Sequence, residues 1–147
     1  MSKKIIAFLG CGSWGGALGD VLSKKGFQIR FWHRNPDTVH EMEASRKHYL
    51  LPSIAFEKNV VFYSDINRAI DGANNIILAV PSQSMRNVVS QIKDNLSPES
   101  YIVNISKGIE NETLKTMSEV IFEIIGNMPN FVTLSGPSHA EEVVKQK

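Results

Sequence analysis

The residues with the clearest chemical purpose are Gly10-Cys11-Gly12-Ser13-Trp14-Gly15. Three glycines at this spacing can bring backbone N–H groups up to a diphosphate. Gly10 suits a tight turn, Gly12 a close approach of backbone to an anion, and Gly15 the close packing of a helix on a sheet. The spacing alone is weak, but its flanks strengthen it. Ile5-Ile6-Ala7-Phe8-Leu9 precedes it without polar alternation, and Ala17, Leu18, Val21 and Leu22 follow at helical spacing. A strand that runs into a glycine turn opening an amphipathic helix is the setting in which this motif binds a dinucleotide, phosphates at the helix N-terminus. Cys11 need only be small there, a filler sooner than a reactive thiol. Trp14 either packs against a bound nucleotide or staples the loop to the domain.

Which nucleotide is addressed by the end of the next apolar run, residues 27–32. A NAD-selective site usually carries Asp or Glu there, bonded to the ribose hydroxyls. This chain has His33-Arg34-Asn35 instead. A guanidinium can grip a 2′-phosphate through two parallel hydrogen bonds, whereas a carboxylate repels it. Arg34, with His33 beside it, therefore favours NADP over NAD; the other reading is a solvated arginine at a strand end. Lys107 follows the apolar run 101–105, at a strand's carboxyl end where open α/β sheets place their ligands. Its cation could position a reacting oxygen or a phosphate, although a plain surface lysine has the same spacing. Ser138-His139-Ala140-Glu141 reads as a capping box, hence a second helix start favourable to anions. The four histidines and one cysteine show no ligand spacing, so no metal site is expected.

The elements that must hold these residues alternate. Short apolar runs at 5–9, 27–32, 60–63, 75–80, 101–105 and 131–134 are strands, separated by helical patterns. Such alternation predicts an α/β fold, a Rossmann-type doubly wound and mainly parallel sheet with helices on both faces. Lys24, Lys25 and Gly26 close the first helix, and Asn35-Pro36 starts the second as cap and first turn. Residues 46–58 have weak periodicity and read as an irregular excursion. Ser64-Asp65 caps a short helix carrying Ile66, Ala69 and Ile70. A helix from Ser82 uses Met85, Val88, Val89, Ile92 and Leu96, and one with Leu114, Met117, Ile121 and Ile124 closes at Gly126.

The whole chain, 147 residues at a net charge of +1, is one domain's worth. That charge balance argues against a general nucleic-acid or membrane-surface binder. No apolar run approaches the roughly 18 residues of a membrane span. One cysteine permits no internal disulfide and fits a reducing compartment, so a cytoplasmic protein is expected. The capping box near the end starts a helix about two turns before the last residue, so residues 1–147 read as a dinucleotide-binding domain cut from a longer protein.

Three segments go beyond a generic fold of this kind: Gly10-Cys11-Gly12-Ser13-Trp14-Gly15 with Ala17-Leu18, then Ser106-Lys107-Gly108-Ile109-Glu110, then Ser135-Gly136-Pro137-Ser138-His139-Ala140-Glu141-Glu142. In this order they resemble bacterial NAD(P)-dependent glycerol-3-phosphate dehydrogenase, over that family's N-terminal half. Trp32-His33-Arg34-Asn35-Pro36 and Tyr49-Leu50-Leu51-Pro52 are similar to its intervening segments. The resemblance implies reversible hydride transfer between a nicotinamide cofactor and the C2 carbon of sn-glycerol 3-phosphate or dihydroxyacetone phosphate, feeding glycerophospholipid synthesis. It implies cofactor contacts from Ser13, Trp14, His33, Arg34, Tyr49, Lys107 and Ala140, beside Gly10, Gly12 and Gly15. It implies substrate contacts from Lys107, Gly136 and Ser138. The general-base lysine and the helical domain that grips the substrate phosphate lie beyond residue 147 in this picture, so no catalytic residue is assigned, His139 included. The isolated chain is then expected to be inactive, and a homodimer of the full-length protein is left open.

Two other readings share the glycine loop. Ala79-Val80-Pro81-Ser82 also suits a dehydrogenase of the 6-phosphogluconate or 3-hydroxy acid type, against which the Lys107-Gly108 and Ser135-Gly136-Pro137 pair weighs. A nucleotide-sensing module without catalysis would need only the loop itself.

Overall fold

Parallel strands buried on both faces need continuous apolar sequence, and β1 (Ile5–Leu9) provides it: Phe8 and Leu9 are fully buried. Around it lie β2 (Gln28–Trp32), β3 (Val60–Tyr63), β4 (Asn75–Leu78), β5 (Tyr101–Asn104) and β6 (Phe131–Thr133). The helices are α1 (Ser13–Lys24), α2 (Pro36–Ser45), α3 (Ile66–Ile70), α4 (Met85–Ile92), α5 (Met117–Ile125) and α6 (Ala140–Val144). The structure, a computed structural model, describes residues 3–137 and 139–145.

All pairings in the sheet are parallel, in the order β3-β2-β1-β4-β5-β6. The register sets Ala7 beside Arg30 and Ile76, and Phe8 beside Phe31 and Ile77. Two apolar layers cover the sheet. One joins Leu9, Ile76, Leu78 and Ile102 to Met85, Val89 and Ile92 of α4 and Val120 and Ile121 of α5. The other joins Phe8, Ile29, Phe31 and Phe62 to Met42 of α2 and to Ile54 and Phe56 of the excursion. Each fully buried side chain of this size stabilises the fold by about 1.5–3 kcal/mol before the entropy of ordering it is counted.

Local signals account for most boundaries. Asn35 caps α2 by accepting from the Asp37 N–H, with Pro36 in the first turn, and Asp65 accepts from Asn67 and Arg68 at the start of α3. Three boundaries depart from expectation. The segment after Pro81 begins as a 3-10 turn, Ser82–Ser84, before α4 takes over at Met85. Leu114 is not helical: it sits at φ 58°, 70% exposed, in a turn closed by the Ile109–Thr116 bridge. Thr116 and Glu119 then form a full capping box, so α5 starts at Met117. At the end of the chain the cap position of α6 is held by His139, which makes no side-chain capping bond, while Ser138 lies outside the described residues. No helix of the described residues is long and apolar enough to cross a membrane.

Candidate nucleotide-binding site

The strand order reverses between β1 and β4, and a crevice opens beyond the carboxyl ends of strands at such a point. There the structure has a cleft of about 1230 Å³. Gly10 leaves β1 at φ 109°, its N–H donating to the Trp32 carbonyl at 3.1 Å. A β-carbon there would overlap the Ala79 carbonyl oxygen, so only glycine passes so close to β4. On Gly12 a β-carbon would meet nothing within 4 Å; that flank of the loop is open. Gly15 packs against Ala79, where a β-carbon would stand 3.0 Å from the Ala79 β-carbon. Gly10 and Gly15 thus have the turn and packing roles their positions suggested, and Gly12 leaves the space that an approaching anion would need.

Helix α1 starts at Ser13 with no side chain capping it and no acidic residue in its first turn. Unclaimed N–H groups and the positive end of the helix dipole suit a diphosphate, and the open flank of Gly12 gives it access. The residues present therefore fit a dinucleotide. Cys11 faces away, buried with its Sγ 3.9 Å from the Met42 sulfur, and burial pushes its thiol pKa far up. It is a filler.

Of the residues predicted for the site, Gly10, Gly12, Ser13, Trp14, Gly15, His33, Arg34, Tyr49 and Lys107 all line this cleft. Arg34 is exposed at the end of β2, where a carboxylate would otherwise stand. His33 accepts from the Asn35 N–H at 3.1 Å and meets Tyr49 edge-on at 5.3 Å. Burial first, and the Arg34 charge to a lesser degree, hold the His33 pKa below its ordinary 6.5, so it is neutral at neutral pH. Gly136 does not line the cleft but is tied to it, because Lys107 Nζ donates to the Gly136 carbonyl at 2.8 Å. Ala140 opens α6, which packs on α1, and is not in the cleft wall.

Two groups of residues escaped the sequence reading. Around the loop that bears Lys107, Gln83 donates to the Ile109 carbonyl at 2.9 Å and accepts from the Asn111 N–H at 3.0 Å. Arg86 forks onto Glu110 at 2.8 and 2.9 Å and also reaches Glu123 at 3.0 Å; Lys115 pairs with Glu123. The Arg86 fork, with a bond from the Thr113 hydroxyl, lowers the Glu110 pKa to about 2. The start of α4 thereby clamps the Lys107 loop. The signal was Glu110, a carboxylate in the most specific motif, but its partner 24 residues earlier has no local mark. The second group is His48, buried in the excursion beneath the glycine loop.

Fold, strand order and an uncapped helix behind a glycine turn define a Rossmann-type dinucleotide-binding domain. More narrowly, the chain belongs to the family described as NAD-dependent glycerol-3-phosphate dehydrogenase N-terminus, which it matches over residues 5–147. Among curated relatives it is 37% identical to glycerol-3-phosphate dehydrogenase [NAD(P)+] of Clostridium tetani, over 99% of this chain and 42% of that protein. It is 41% identical to the Geobacter sp. protein of the same name, over 97% of this chain and 43% of that one. Among solved structures, glycerol-3-phosphate dehydrogenase of Coxiella burnetii superposes with a TM-score of 0.90 at 33% identity, over 97% of this chain and 44% of that one. The chain thus spans less than half the length of the relatives it matches.

Proposed function

We propose that this chain binds NADP or NAD, with NADP favoured, as the nucleotide-binding half of an oxidoreductase that interconverts sn-glycerol 3-phosphate and dihydroxyacetone phosphate. The observation that carries the reading is the Lys107–Gly136 hydrogen bond of 2.8 Å. It joins the two most specific motifs at the mouth of the cleft that the glycine loop opens. A bound nicotinamide would supply the hydride acceptor or donor. In the chain itself, the N–H groups at the start of α1 receive the diphosphate and Arg34 the 2′-phosphate. His33 and Tyr49 flank Arg34, and Trp14, within the first turn of α1, lines the same cleft. Lys107, fixed by the Arg86–Glu110 clamp, presents its cation where a phosphorylated substrate would meet the cofactor, with Gly136 beside it. Ser138, which lies outside the described residues, is assigned to the substrate by the motif alone. The proton donor and acceptor is a lysine outside this chain, and the reaction belongs to a cytoplasmic protein acting on a small molecule.

The test has two arms. Calorimetric titration of the chain with NADPH and NADH is expected to show one site for each, the former tighter. The same chain mixed with sn-glycerol 3-phosphate and NADP is expected to show no turnover, whereas a protein carrying the helical half oxidises that substrate and not 6-phosphogluconate or a 3-hydroxy acid. No nucleotide binding would refute the site, and full oxidation by the 147-residue chain would refute the division of labour.

A further inference from the structure

His48 is buried and tethered on both ring nitrogens. Its Nδ1 accepts from the Leu50 and Leu51 N–H groups, each at 3.0 Å. An atom that receives two N–H donors presents a lone pair, so the ring proton is on Nε2. From Nε2 the ring reaches the Cys11 carbonyl at 3.0 Å and the Gly12 carbonyl at 3.2 Å. The ring also stacks on Tyr49 with centroids 5.1 Å apart, and α1 lies so close that a β-carbon on Gly16 would overlap Nε2 and Cδ2. The ring thus occupies the space that a side chain at position 16 would need.

A trans peptide points its carbonyl and the following N–H in opposite directions. Holding the Cys11 and Gly12 carbonyls from one side therefore turns the Gly12 and Ser13 N–H groups to the other. Gly12 and Ser13 line the cleft and His48 does not. We infer that His48 is a positioning residue of the nucleotide cleft, a neutral Nε2–H imidazole that holds the carbonyls of the glycine loop inward so that its N–H groups face the diphosphate. The role rests on the reading of the cleft as a dinucleotide site. Burial, opposed by the bonds to Cys11 and Gly12 and by the Asp20 charge, keeps the ring below its ordinary pKa, and His33 adds to the lowering only when it is itself protonated. A charged ring would turn an Nδ1 proton against the Leu50 and Leu51 donors. Tyr49, stacked on the ring, meets His33 edge-on beside Arg34 at the far end of the cleft.

Two substitutions separate holding the loop from merely filling space. Glutamine can place an N–H donor where Nε2 stands but leaves Leu50 and Leu51 without an acceptor. Asparagine keeps an acceptor near Nδ1 and loses the donor to the loop. His48→Gln and His48→Asn are each expected to lower the urea midpoint. NADH affinity, titrated where both are folded, is expected to stay within about threefold of wild type for His48→Gln and to fall about fivefold to tenfold for His48→Asn, the range for one lost hydrogen bond. Long-range nitrogen–proton spectra of the wild-type imidazole are expected to show the neutral Nε2–H form at pH 7. A charged ring or an Nδ1–H form overturns the inference whether or not the variants fold. Equal loss of affinity in both variants, or none in His48→Asn, overturns the positioning role while leaving the nucleotide site intact. Wild type that binds no NADH overturns both together.

Discussion

Gly12 has extended backbone at φ −71° and ψ −174°, open to any residue, and free space where a β-carbon would go. Its glycine is therefore not demanded by the fold. Gly12→Ala is expected to change stability by no more than about 1 kcal/mol, the small cost at a helix cap offset by a less flexible unfolded chain. NADH affinity is expected to drop at least about tenfold, because the new methyl stands where the diphosphate approaches; ten is about 1.4 kcal/mol. Gly10→Ala should invert the pattern: φ 109° and the overlap with Ala79 are expected to cost about 2 kcal/mol or more in urea unfolding. A Gly12→Ala protein that binds as well as wild type would show that the loop does not cradle phosphate. Arg34 is tested by ratio. Arg34→Ala should weaken NADPH about tenfold to a hundredfold, as loss of charge-assisted bonds implies, and leave NADH nearly untouched. An unchanged NADPH-to-NADH ratio would remove Arg34 as the phosphate grip.

At the scale of elements, the Lys107 loop is held from α4 and α5 by charge. The Arg86 fork and the Thr113 hydroxyl hold Glu110 at about 2, below its ordinary 4.5. The folded state thus takes up a proton less readily than the unfolded one. The contribution is complete above about pH 4.5 and is lost as pH falls through about 2. Arg86→Leu should flatten the acid side of the stability curve in that window and speed amide exchange at Glu110, whose N–H donates to the Lys115 carbonyl at 2.9 Å. An acid limb identical to wild type would mean the fork does not hold the loop. Helices were legible where a cap or a stop was local: Asn35-Pro36, Asp65 and Gly126 set their boundaries as their types suggest. The start of α5 was misjudged because Leu114 continues the apolar spacing, although Thr116 and Glu119 carried the better signal. His48 could not be read at all. Weak periodicity marked residues 46–58 as irregular, and nothing local told which of their side chains turns under a loop 36 residues away.

At the scale of the whole molecule, apolar runs without alternation revealed a covered parallel sheet, since a strand packed on both faces has no polar side to show. They could not give strand order, which rests on crossovers, and it is the order that places the glycine loop at the reversal point. The same order predicts a gradient of local stability. β1 pairs with both β2 and β4 and contributes Phe8 and Leu9, each at 0% exposure, to opposite layers. β6 pairs only with β5, has three residues, and leaves Val132 at 51%. Hydrogen exchange of the chain under native conditions is expected to release β6 amides first and β1 and β4 amides last, close to global unfolding. Bound NADPH should slow exchange at Gly12, Ser13 and the first turn of α1 well beyond β6, because it ties down the loop where the central strand ends. Equal protection at β6 and β1, or a nucleotide effect spread evenly over the sheet, would mean that the cleft is not coupled to the centre of the fold as the topology requires.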